Sequence, residues 1–166
     1  MAQHDEHAQH GGHSGGGKMN HYRRLLVMTV LSFITMYILM YAMVNRLGNV
    51  YPNVNQFYMA GLMAAAMVAI ELVVMGGMYP NKKLNAALIV ASLAALVAFF
   101  ALIQKQVAIN DRQFLKSMIP HHAGAILMCG EAPIKDPDIQ KLCRGIILGQ
   151  QQEIDLMKAK LRELND

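Results

Sequence analysis

Three long apolar blocks, almost free of charge, constrain this chain more than any other feature. Leu25 to Val44 and Leu84 to Ile103 contain no charged residue, and Phe57 to Met78 contains only Glu71. At about 1.5 Å of rise per residue, some twenty helical residues cross the roughly 30 Å hydrocarbon core of a bilayer. A backbone in lipid must satisfy its own N–H and C=O groups, which a helix does and an open strand does not. We therefore expect three transmembrane helices at about 25–44, 57–78 and 84–103, within a membrane region of residues 19–103. The first block exceeds the apolar core of a signal peptide, about 7–15 residues. Ala42-Met43-Val44-Asn45-Arg46 offers no clear small-x-small cleavage site, so the block reads as a retained anchor.

The net charge of +4 needs no nucleic-acid partner, because the basic residues flank the apolar blocks. Lys18, Arg23 and Arg24 precede the first block and Lys82 and Lys83 follow the second, whereas the first connecting loop holds only Arg46. The positive-inside rule then predicts a cytoplasmic N-terminus and an extracytoplasmic C-terminal domain, residues 104–166, with the chain in the bacterial inner (plasma) membrane. Lys105, Arg112 and Lys116 on the outer side run against that bias. Cys129 and Cys143 both fall in the outer segment, where a disulfide is permitted.

Residues 1–18 are rich in Gly and His and poor in apolar side chains, and we expect a disordered tail. His4, His7, His10 and His13 could converge on a metal ion in such a chain. The bland alternative is a solvated leader. At the other end, Asn110 or Asp111 can cap a helix running to about Glu131, with a kink or break expected at Pro120. Ala132 to Asp138 is turn chemistry with two prolines. A last helix follows from about Pro137 to Leu164, its apolar residues (among them Ile139, Leu142, Ile146, Ile154, Met157 and Leu161) returning every three or four positions. The expected fold is all-α: three transmembrane helices, then an antiparallel hairpin. Two helices cannot cover each other's apolar stripes completely, so either dimerisation into a four-helix bundle or packing by the membrane helices must cover the rest.

The segment Met118-Ile119-Pro120-His121-His122 followed by Met128 carries the chemistry. On a helix, Met118, His121, His122 and Met128 share one broad face. Imidazole nitrogen with thioether sulfur favours copper, the thioether selecting Cu(I), although the donors admit other transition metals. Met157 on the partner helix could complete a site and Glu153 could orient a ligating imidazole. Cys129 and Cys143 are secondary candidates, as further soft ligands or as a disulfide. Against all of this stands the bland reading, in which the histidines are ordinary helix residues and the methionines fill a core.

Asp111, Phe114-Leu115, Met118-Ile119-Pro120-His121-His122, Ala125-Ile126 and Met128, then Ile146-Ile147, Gln151, Glu153-Ile154 and Met157, resemble the domain of unknown function 305 family of the ferritin-like superfamily. The resemblance spans about residues 108–164. It implies a helical domain associated, in several periplasmic or membrane-attached members, with copper binding and tolerance. Carried over, the family motif singles out Met118, His121, His122, Met128, Glu153 and Met157. Many members have a longer soluble domain, sometimes with two copies of the motif. One copy here makes dimerisation the expected route to a four-helix bundle.

In the membrane half, Met59, Met63, Met67, Glu71 and Met75 recur every four residues, as do Met36 and Met40. They read either as a thioether path for Cu(I) that includes Glu71, or as adaptable packing between helices. The leading function is a membrane-anchored copper-binding protein serving tolerance or delivery, with the bilayer, a second copy and a copper-handling protein as partners. A ferritin-like oxidoreductase lacks the Glu-x-x-His pairs of di-iron bundles here, and no catalytic residue is assigned. A structural assembly protein without metal is the third reading.

Overall fold

The computed structural model describes residues 16–164, and within them the chain is entirely helical. Five α-helices follow in order: α1 Gly16–Leu39, α2 Val54–Val74, α3 Lys82–Gln104, α4 Asp111–Glu131 and α5 Pro137–Glu163. Two 3₁₀ turns, Met40–Met43 and Leu47–Asn49, lie between α1 and α2. The segments His21–Met43, Val54–Val74 and Lys82–Gln104 are long and apolar enough to cross a membrane. Their side chains are largely exposed, including Leu31, Ile38, Ile70, Val73, Val90 and Val97. Such a surface is stable against lipid and costly against water.

Boundaries shift where polar residues, invisible to an apolar count, set the helix ends. Residues 16–18, expected in the tail, are already helical, and the regular helix stops at Leu39 and tightens instead of reaching Val44. The second helix starts a turn earlier than expected because the Asn53 side chain accepts from the Gln56 amide at 2.9 Å. It ends at Val74, short of Met78, just before Gly76-Gly77. Likewise α3 begins at Lys82, capped by the Asn81 side chain, which accepts from the Leu84 amide at 3.0 Å.

The three apolar helices pack in sequence, α1 on α2 and α2 on α3. Small residues on α2, Ala60, Gly61, Ala64 and Ala65, are buried and let α3 approach closely. A Cβ placed on Gly61 would stand 2.5 Å from the end of the Phe99 ring. At one end of the bundle Tyr22 donates to the Asn81 carbonyl and to Asn85 Oδ1, and Leu25, Leu72 and Tyr79 form a small core. Arg23, Arg24, Lys82 and Lys83 therefore share that end.

At the other end α4 and α5 pack into the expected hairpin. Its core is Ile119, Ala123, Ile154 and Leu161, with Leu115, Ile126 and Met157 against it. Val44 and Tyr51 from the loop between α1 and α2 join this core, so the loop covers part of the hairpin. Arg112 donates to the Leu164 carbonyl and ties the end of α5 to the start of α4.

Candidate metal centre

Asn110 caps α4 by accepting from the Gln113 amide at 2.9 Å, and Asp111 follows in the first turn, where a carboxylate suits the helix dipole. The helix is continuous through Pro120 to Glu131, so of the kink or break expected there the break is absent. Proline lacks the N–H that would bond the carbonyl four residues back, here that of Lys116. The freed carbonyl instead faces the buried Asn53, whose Nδ2 lies 3.5 Å away, while Gln113 Oε1 accepts from the Val54 amide at 3.1 Å. The start of α2 thus supplies polar partners to α4 beside the motif. Sequence reasoning missed both residues, since nothing local couples positions some sixty apart.

His122 is buried, and both of its ring nitrogens are engaged. Nδ1 lies 2.9 Å from the Met118 carbonyl, and Nε2 lies 2.7 Å from Glu153 Oε2. Both partners are acceptors. The arrangement therefore needs two protons shared between the imidazole and the carboxyl, as in an imidazolium–carboxylate pair. Glu153 thus holds the Nε2 side of the imidazole, and a metal could reach that nitrogen only by displacing the carboxylate. His122 can ligate only by letting Glu153 go.

His121 is exposed, its ring centre 6.0 Å from that of His122. Met118 is half-buried one turn before it, and Met128 is 54% exposed nearly two turns beyond. Ten residues of helix separate Met118 from Met128, about 15 Å of rise, so the two thioethers cannot share one ion within a chain. Met157, half-buried, packs on the hairpin core. Among the described residues no three His, Cys, Asp or Glu side chains form a group that could hold a metal. The donors nearest the open surface are the exposed His121 and the half-buried Met118 one turn before it. This imidazole–thioether pair suits a soft univalent cation, with Met128 further along the same face.

Cys129 and Cys143 are joined in a disulfide between α4 and α5, their Cα atoms 5.1 Å apart. This settles the two readings left open for them and corrects the ligand reading, because neither offers a thiolate. Glu71 lies at the far end of α2, one turn from Val74, and seventeen residues of helix, about 26 Å, from Val54. It accepts a hydrogen bond from the Tyr79 hydroxyl at 3.0 Å, and burial first, then this bond, pushes the Tyr79 hydroxyl above its ordinary value. An open groove of about 540 Å³ brings Glu71 beside Met36, Met63, Met67 and Met75. The carboxylate is therefore held at the basic end of the bundle, remote from His121. His4, His7, His10 and His13 lie outside the described residues.

Fold and motif define a class: an all-helical protein in which three helices long and apolar enough to cross a membrane precede a disulfide-bridged hairpin bearing histidine and methionine. The chain belongs to the family described as Domain of unknown function (DUF305), whose model matches residues 75–161. The match begins at the end of α2, so the shared unit includes α3 and is wider than the 108–164 that the motif alone suggested. "Uncharacterized protein L153" of Acanthamoeba polyphaga mimivirus is 32% identical over 142 residues, 84% of this chain and 91% of that protein. An alignment of that length also takes in apolar helices ahead of the hairpin. No solved structure matches.

Proposed function

We propose that this protein captures copper, as Cu(I), at a membrane surface for tolerance or onward delivery, without itself being an enzyme. The observation that carries the reading is the exposed His121 one turn from Met118 on an ordered, membrane-tethered hairpin. Soft donors at helical spacing select a soft cation, and exposure lets it enter and leave. His122 is a reserve ligand, released when Glu153 turns away. The basic end of the three-helix bundle faces the cytoplasm and the hairpin lies outside, periplasmic in a Gram-negative cell. A second hairpin covers the open face to make a four-helix bundle, and a copper-handling protein receives the metal.

The test is copper content and Cu(I) competition affinity of the detergent-purified protein beside a His121→Ala/His122→Ala variant, with residues 1–15 removed from both. Stoichiometric copper, lost in the variant, is the expected result. Absence of copper from the unaltered hairpin would overturn the reading and favour the assembly role.

A further inference from the structure

One face of α5 buries Cys143, Ile154 and Leu161 against α4. At 100° per residue, a second face lies roughly 120° further round and gathers Asp138, Leu142, Gly145, Gly149, Leu156 and Lys160 within about 60° of arc. Leu142 is 62% and Leu156 70% exposed. An open groove of about 570 Å³ runs over the two glycines, and a Cβ added to either would meet nothing within 4 Å. The spacing of four, three, four, seven and four residues keeps all six on one narrow strip along the helix, a strip that a second helix can follow at a shallow angle.

This face is complementary to itself when turned end for end about Gly149. Leu142 and Leu156 stand seven residues either side of that glycine, and Asp138 and Lys160 eleven either side. In an antiparallel pair each leucine therefore meets a leucine, each Asp138 meets a Lys160, and the two Gly149 backbones approach where no side chain intervenes. Lys160 is ion-paired at 2.5 Å with Glu163 of its own chain, so in the antiparallel pair each Asp138 shares that ammonium, whereas a parallel pair sets Asp138 on Asp138; charge favours the antiparallel arrangement. Isologous two-fold contacts of this kind are the commonest way that identical chains close.

We propose that a second copy of this chain docks on α5 through this seam, antiparallel and crossing at Gly149. The inference rests on the reading of the hairpin as half of a four-helix bundle and names its contact. Glu153 itself lines the groove, so the partner copy borders the His122–Glu153 hydrogen bond.

The experiment measures the dimer dissociation constant of the full chain in detergent by dilution, for Asp138→Lys, Lys160→Asp and the two combined. Each single variant sets like charges together twice and should weaken the dimer about tenfold or more, while the combined swap restores complementarity and should return it to within about threefold. A Gly149→Cys variant should cross-link to its copy with a short bis-maleimide, whereas Asp155→Cys, about 120° away on the helix, should not. The combined swap also guards against misfolding, since a variant that merely failed to fold would not be rescued. A dimer whose affinity ignores the charge swaps and which does not cross-link at Gly149 overturns the seam and leaves the bundle reading standing. A chain monomeric at every concentration overturns both, and copper binding is measured independently of either.

Discussion

Asn53 ties several groups together: its Oδ1 caps α2, its Nδ2 donates to the Tyr51 carbonyl at 3.0 Å and to Gln56 Oε1 at 2.9 Å, and the carbonyl that Pro120 leaves free lies at the longer distance of 3.5 Å. Asn53→Ala should cost about 1–2 kcal/mol, from a lost cap and a carbonyl without its partner. Thermal unfolding in detergent would show it as a lower midpoint. Pro120→Ala returns an N–H to Lys116 and should recover part of that loss in the Asn53→Ala background; additive losses would refute the coupling. The two histidines should also separate by role. His121→Ala should abolish most copper affinity at little cost to stability, because the side chain is exposed. His122→Ala should instead lower stability by about 1 kcal/mol, because it removes a buried ring engaged at both nitrogens, while the carboxylate of Glu153, 58% exposed, is taken up by water. Equal copper loss from both would mean that Glu153 releases His122 on binding.

Among the elements, the hairpin is the one held covalently. The Cys129–Cys143 bridge spans a separation of 14 residues, and closing a loop of that size constrains the unfolded chain by about 3 kcal/mol in the chain-entropy account. Reduction, or Cys129→Ser with Cys143→Ser, should therefore lower the unfolding midpoint of α4 and α5, and hydrogen exchange should rise first near Gly130 to Asp138. Unchanged exchange there would show that core packing alone fixes the hairpin. Between α2 and α3 the limit is steric. Gly61→Leu should separate the helices, since even a Cβ meets Phe99 at 2.5 Å, and Phe99→Ala should relieve it in part. How legible each element was follows from the range of the forces that set it. The helices were readable because apolar blocks and a three-to-four period are local signals. Their ends were misplaced by up to four residues at α2, since Asn53, Asn81 and Gly76-Gly77 act through hydrogen bonding and turn geometry, which hydropathy does not register.

At the scale of the whole molecule, the basic end and the hairpin end lie at opposite poles of the apolar helices, one marked by Tyr22 bonding to Asn81 and the other by Val54 bonding to Gln113. A membrane-impermeant amine reagent on intact cells should modify Lys135 and Lys141 and spare Lys82 and Lys83 until the membrane is opened. The reverse pattern would invert the orientation and place the motif inside. The contacts of Asn53 and Gln113 also join the three apolar helices to the hairpin, so the hairpin is a continuation of the bundle and not a domain on a free tether.

Sequence alone determined that this chain makes three long apolar helices and a helical hairpin, because long apolar runs and helical periodicity are written in consecutive residues. It also brought the chain to its family. Only the tertiary structure decided that Pro120 lies within an intact helix, that the cysteines pair, that Glu71 bonds Tyr79 at the far end, and that Glu153 claims the nitrogen of His122. Each of those depends on which residues distant in the chain stand within bonding distance, and no local pattern carries that.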